Sequence, residues 1–297
     1  MDYLTVLRCR WHIIATDSTW PRYKGFGIHS ALGPALRNCS PEAYACLYGD
    51  STANTNIDIK PYRLLPPLNQ EQDVKEGDLM HIDLALFGPA SRWLFACMSA
   101  LETVGKMGIE RGQGRFEIQS VEAWSGSTAW HSFYQTREGV AEWPRVLSVK
   151  TILEEHSPQP ATTLDITLDT PLRLKQENRL QRSAPSFSDL MRHLATRVKL
   201  LSESAGLPPL ISSEEKTTLL SLADSIEPAN HEVNWTDLSR YSFRQKANMQ
   251  FGGIMGTLRY SGEHLGAFRP WLALAECVHL GGKTTFGLGH INPHFKS

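Results

Sequence analysis

Residues 3–15 alternate strictly: Tyr3, Thr5, Leu7, Cys9, Trp11 and Ile13 share one face, and Leu4, Val6, Arg8, Arg10, His12 and Ile14 the other. A period of two predicts a strand with one buried face and a basic stripe on the second. The next stretch, YKGFGIHSALGPALRN (23–38), opens with Gly25 and Gly27 and predicts a short helix containing Ala31, Leu32, Ala35 and Leu36. Residues 39–60 read as polar and irregular, and 76–88 as a second strand. Over 89–107, Trp93, Leu94, Met98, Leu101 and Val104 recur at helical spacing. Glycines 105, 108, 112 and 114 then lead into a strand over 115–124. Residues 125–145, rich in Ser, Gly and aromatics, read as a connection.

The second half repeats the order. A strand is predicted over 162–175, and a helix over 186–206 with Ser186 or Ser188 as its cap and Gly206 past its end. A second helix follows over 212–226, a glycine-interrupted strand over 249–262, a helix over 267–279 with Pro270 in its first turn, and a strand over 285–292. The two helix-to-strand passages, ETVGKMGIERGQGRFEI (102–118) and ECVHLGGKTTFGLGHIN (276–292), are alike. In each a Glu is followed by Val two residues on and Gly six residues on, then by a G-x-G pair and a strand. A repeat of this kind predicts a duplicated βαββαβ unit, although a pattern this short also arises by chance. The fold expectation is α+β: tandem ferredoxin-like (RRM-like) domains, the first over 1–125, a connection over 126–160, and the second over 161–297.

Length and composition agree. At 297 residues, with 41% hydrophobic and 21% charged residues, the chain suits one large or two ordinary globular domains. The formal net charge of −1 names no polyanionic partner, so a nucleic-acid site must be a local basic patch. Residues 171–200 supply one: Arg173, Lys175, Arg179, Arg182, Arg192, Arg197 and Lys199 against Glu177 and Asp189. Arg240, Arg244, Lys246 and Arg259, with Tyr241 and Phe243 between them, extend it. Ordinary solvated helix faces are the competing account.

The five cysteines are odd in number and contain no CxxC pair, which argues against a disulfide framework and fits a cytoplasmic protein. The N-terminus does not read as a signal peptide, and no run is apolar enough for a membrane span. The eleven histidines form no HxH or HExxH pair, so neither metal nor cofactor is expected. GGKTTFG (281–287) evokes a P-loop, but the Gly required five residues before Gly282 is Cys277, and the loop runs from helix into strand rather than the reverse. Its glycines, Gly281, Gly282, Gly287 and Gly289, still let backbone N–H groups approach phosphate, beside Lys283 and Thr284; a tight structural turn is the alternative.

Residues 239–291 resemble the C-terminal domain of the CRISPR-associated endoribonucleases that process precursor crRNA, members of the RAMP superfamily. The S-x-RQ segment (242–245), the GG-x-x-G strand (252–256) followed by Tyr260 and Gly262, the Phe-x-Pro-Trp-Leu helix and the GGKTTFGLG loop carry the resemblance. Weaker matches are GFGIHSALGPALRN, similar to the family's first helix, and ERGQGRFEI, similar to its GRGRGRF turn. The resemblance implies tandem ferredoxin-like domains, repeat-RNA binding and metal-independent cleavage by ribose 2′-hydroxyl attack, giving a 2′,3′-cyclic phosphate. It implies a catalytic histidine in or near the first helix, here His29, with Tyr23, Lys24 and Arg37 to supply a proton or charge, and His12 and His290 as the other histidines. Arg8, Arg10, His12, Arg192, Arg197, Arg240, Arg244 and the glycine loop become the RNA-binding set. The partners implied are CRISPR repeat RNA or crRNA and other subunits of an effector complex, with no membrane. A catalytically inactive crRNA-binding subunit and a filament-forming RAMP subunit are the rival readings.

Overall fold

The computed structural model describes residues 3–49, 59–68, 73–126, 129–242 and 247–296. The chain forms two compact units. The first comprises Met1–Ser148 with Leu201–Leu207 and Thr285–Gly287; the second comprises Val149–Leu200, Pro208–Thr284 and Leu288–Ser297.

In the first unit β1 (Thr5–Ala15) leads to α1 (Lys24–Cys39), α2 (Pro41–Tyr48), β2 (Tyr62–Leu65), β3 (Leu79–Phe87), α3 (Leu94–Met107) and β4 (Phe116–Gly126). The sheet order is β2-β3-β1-β4, antiparallel throughout, which is the ferredoxin-like arrangement. The apolar face of β1 does what its alternation predicts. Leu7, Cys9, Trp11 and Ile13 pack in one core with Ile28, Leu32 and Leu36 of α1 and Leu94, Leu101 and Val104 of α3. The expected connection is in part strand: β5 (Ala129–Gln135) pairs with β4, β6 (Gly139–Val140) with β5, and β7 (Leu147–Ser148) with β1. The segment expected to be irregular holds α2. The Ser40 side chain accepts the Ala43 N–H at 3.2 Å and Pro41 occupies the first turn, so a local Ser-Pro start outweighs the segment's polarity.

The second unit opens with α4 (Val149–Glu155) and β8 (Thr163–Leu172). A two-residue hairpin, β9 (Lys175–Gln176) and β10 (Arg179–Leu180), turns through Glu177 and Asn178, both at positive φ. Then come α5 (Phe187–Ser204) and α6 (Ser213–Asp224), the latter started by a Ser212–Glu215 capping box. Strands β11 (Glu227–Pro228), β12 (Glu232–Thr236), β13 (Ser239–Ser242), β14 (Ala247–Gln250) and β15 (Gly253–Ser261) follow, then α7 (Arg269–Val278) and β16 (Ile291–Lys296). The sheet order β11-β15-β8-β16 repeats second-third-first-fourth. The two similar glycine passages are therefore equivalent: each joins the second helix of the βαββαβ core, α3 or α7, to the fourth core strand, β4 or β16. The last strand begins at Ile291, not near 285. Gly287 and Gly289 have φ +91° and +80°, outside the regular strand region, and a 3-10 turn occupies Thr284–Phe286. Among the described residues no helix is long and apolar enough to cross a membrane.

Candidate active site

The site is built where α1 meets the Thr285–Gly287 segment, all within the first unit. Gly25, in the first turn of α1, makes the approach possible: a Cβ there would sit 2.2 Å from the Phe286 carbonyl oxygen. The Tyr23 hydroxyl donates to that same carbonyl at 3.0 Å, and its ring packs on Phe26 at 4.7 Å. Burial pushes the Tyr23 phenol well above its ordinary pKa, so it is a fixed donor holding the loop. Lys24, the first residue of α1, is buried, and burial lowers its ammonium pKa.

His29 is half-buried one turn further along α1. Its Nδ1 lies 3.0 Å from the Tyr62 hydroxyl of β2. Its ring is 3.9 Å from Phe286, 5.0 Å from Tyr48 and 6.4 Å from Tyr62, the last stacked at 10°. The Tyr48 hydroxyl donates to the His29 carbonyl at 2.8 Å. Three aromatic rings and the Tyr62 hydroxyl thus fix this imidazole, and the Tyr48 hydroxyl holds the backbone that carries it. Burial raises the Tyr48 and Tyr62 phenols well above their ordinary range, so both keep their protons. Arg37, two turns on, is not brought to this cluster. It is exposed, bonded to the Tyr44 hydroxyl, with its guanidinium 4.2 Å over that ring.

The basic face of β1 is more committed than its sequence implies. Buried Asp83 takes Arg8 at 3.1 Å and Arg10 at 2.8 Å. Burial alone would raise the Asp83 carboxyl, but Arg8, then Arg10 and Arg63, outweigh it and hold it well below the usual carboxylate range. Trp130 lies under both guanidinium groups, at 5.0 Å from Arg8 and 4.2 Å from Arg10. His12 Nε2 is 2.9 Å from Glu122 and remains part-exposed.

In the second unit Arg192 is exposed and paired with Asp189 one turn away. Arg197 points inward: Nε donates to the Val278 carbonyl at 2.7 Å and a terminal nitrogen to the Thr284 hydroxyl at 2.8 Å. Burial pushes its pKa down to about 10. Gly281 and Gly289 make close backbone approaches, and the Gly282 N–H donates to the Arg173 carbonyl at 2.9 Å. Lys283 is exposed, its ammonium 5.9 Å over the Phe251 ring. Gly287 belongs with the first unit, against Pro66 and the Tyr23 hydroxyl. Arg240 lies on β13, and Arg244 is outside the described residues. His290 Nδ1 meets Asp169 at 2.9 Å while its backbone N–H donates to the Thr170 hydroxyl. Among the described residues no group of three or more His, Cys, Asp or Glu is arranged to hold a metal ion.

Sequence reading missed Tyr48, Tyr62 and Asp83. Tyr62 sits in the apolar run PYRLL and Asp83 in LMHIDLALF; only the lone carboxylate opposite a basic strand face was a usable signal.

The duplicated βαββαβ units, each with a glycine passage before its last strand, define a tandem ferredoxin-like fold. Residues 166–291, nearly the whole second ferredoxin-like unit, match the family model described as CRISPR-associated endoribonuclease Cas6, and residues 4–145 match a model described as an N-terminal domain. The resemblance to the CRISPR-associated endoribonucleases therefore extends well beyond its motifs. Among solved structures, the Cas6 (TTHB231) product complex superposes with TM-score 0.63 at 17% identity, over 97% of this chain and 100% of that one. Thermus thermophilus Cas6 (TTHB231) gives 0.60 at 16%, over 98% and 99%. A RAMP protein binding different RNA substrates gives 0.50 at 12%, over 97% and 99%. No curated protein sequence matches this chain.

Proposed function

We propose that this chain is an endoribonuclease that cleaves CRISPR repeat RNA at the His29 site and retains the product. Similarity to the Cas6 endoribonucleases supports CRISPR repeat-RNA processing. The observation that carries the reading is the fixed imidazole of His29, held by the Tyr62 hydroxyl and packed on Phe286 of the glycine passage. A histidine suits proton transfer at neutral pH. In the proposed reaction the ribose 2′-oxygen bonds to the adjacent phosphorus as the P–O5′ bond breaks. The 2′-hydroxyl proton passes to His29, and the departing 5′-oxygen takes a proton from water, leaving a 2′,3′-cyclic phosphate and a 5′-hydroxyl. The exposed cations Arg192 and Lys283 are proposed phosphate contacts, as are Arg240 and Arg244 on the pattern of the sequence alone; Arg197 holds the passage that carries Lys283. Repeat RNA is the partner, with other effector-complex subunits after cleavage.

The test is cleavage of a CRISPR repeat RNA. His29→Ala is expected to keep RNA affinity and to slow single-turnover cleavage by about 10²–10⁴-fold, the usual effect of a positioned acid–base group. Cleavage should persist in excess EDTA, because the ribose supplies its own nucleophile. Full activity of the variant would move the chemistry to His12 or His290, and loss in EDTA restored by a divalent ion would end the mechanism.

A further inference from the structure

Within the second unit, Trp235 is held in a way that ordinary core packing does not require. It lies on β12, the short strand paired with β15, and is half-buried. Its indole N–H donates to the Asp237 carboxylate at 2.7 Å. The Gly252 main chain closes on the same ring: a Cβ there would sit 2.6 Å from Trp235 Cζ2 and 2.8 Å from Asp237 Oδ1. Only glycine permits that approach. The Gly252 carbonyl accepts in turn from an Arg173 guanidinium nitrogen at 2.6 Å. The position of the ring is thus set by the protein before anything binds.

Arg182 completes the arrangement. It follows β10, whose pairing with β9 is extended by a bond from the Gln181 N–H to the Leu174 carbonyl at 3.0 Å. Its guanidinium carbon lies 4.6 Å from the centroid of the Trp235 ring. The π face attracts the cation and steadies it without using its N–H donors. The side chain is exposed, and among the described residues those donors meet no hydrogen-bond or ion-pair partner. Exposed Lys175 and Arg179 on the adjoining hairpin, against Glu177, favour a polyanion nearby. A phosphate contact needs only a charge; a planar cation braced on an anchored ring suits a planar ligand.

We infer that the Arg182–Trp235 pair is a stacking platform that takes one unpaired base of the bound RNA on the outer face of the guanidinium. The inference rests on the reading of this chain as an RNA-binding enzyme, and adds a base contact to the phosphate contacts proposed above. A base held by its π face can be of any kind, but it must be free of its own duplex.

Repeat-RNA affinity, followed by fluorescence anisotropy, tests it. Arg182→Lys keeps the charge and loses the plane. It should leave the denaturation midpoint unchanged and lower the affinity about tenfold. The slope of log affinity against log salt should stay that of wild type, because no phosphate contact is lost. Abasic substitutions made singly along the repeat should reveal one position where wild type loses about tenfold and Arg182→Lys loses nothing more. Wild-type affinity in Arg182→Lys overturns the platform and leaves Arg182 a point charge. Abasic losses that add to the Arg182→Lys loss at every position overturn it as well. A wild type that binds no repeat RNA ends the reading beneath the inference, and the inference with it. Full cleavage by His29→Ala would alter none of these binding outcomes, so failure of the catalytic reading and failure of the platform are told apart.

Discussion

Asp83 shows how one residue can reorganise a strand face. It is fully buried and its carboxylate receives two guanidinium groups. Removing one partner of such a pair strands the others' charge in the interior, which typically costs about 3–5 kcal/mol. Asp83→Asn is expected to destabilise the protein by that order in urea unfolding at pH 7. The pH dependence has a definite sign. The folded carboxyl titrates below its unfolded value of about 3.9, so its contribution is fully present above that value and is lost as pH falls through the folded one. The stability gap between wild type and variant should thus close as the pH is lowered below 4. A gap that stays constant with pH would show that packing, not charge, holds Asp83. Before folding is considered, Arg8, Arg10 and His12 look like a free basic stripe, because the pairing that consumes the arginines comes from a residue more than 70 positions away.

Glycines 282 and 287 separate structural from functional need in the 281–289 passage. A Cβ on Gly287 would lie 2.4 Å from Pro66 Cδ and 3.1 Å from the Tyr23 hydroxyl, with φ at +91°. Gly287→Ala should therefore lower stability by about 1–3 kcal/mol, read as a lower denaturation midpoint, before any effect on RNA can be assessed. Gly282 has an ordinary φ, and its added Cβ meets only the Arg173 oxygen at 3.8 Å. Gly282→Ala should fold like wild type, so lost repeat-RNA affinity in that variant would report close phosphate approach directly. Unchanged affinity would make Gly282 part of the turn only. At this scale the sequence was legible where periodicity is long. β1, α3, α5 and α7 stand within a few residues of their predicted places because each repeats an apolar position several times. Short elements escaped: α2 has eight residues and announces itself only by Ser40-Pro41, and β2 has four. The early start predicted for β16 failed because Thr284–Phe286 forms a 3-10 turn and the two positive-φ glycines after it, Gly287 and Gly289, interrupt a regular strand while keeping its spacing. His29 was a candidate only through the family resemblance of its helix; its surroundings were not legible, since Tyr48, Tyr62 and Phe286 are drawn from three separate stretches of chain.

The chain as a whole carries a net charge of −1, so no long-range field gathers a polyanion and any RNA affinity must come from individual exposed cations. That makes the salt dependence of binding a count of contacts. Arg192 is the most useful probe. It is exposed, and its bond to Asp189 joins neighbours on the same helix, an arrangement worth at most about 1 kcal/mol. Arg197, five residues on, is unsuitable, because its guanidinium holds the Val278 carbonyl and the Thr284 hydroxyl and reversal would damage the loop. Arg192→Glu should leave the denaturation midpoint nearly unchanged. Repeat-RNA affinity, followed by fluorescence anisotropy between about 50 and 200 mM salt, should fall, and the slope of log affinity against log salt should flatten by about 0.7–0.9 for the lost phosphate contact. The same loss should appear with unrelated RNA of equal length, because a phosphate contact carries no sequence information. An unaltered slope would assign Arg192 to a solvated helix face and leave Lys283 as the cation to reverse next. A loss confined to the repeat sequence would mean that Arg192 reads a base instead.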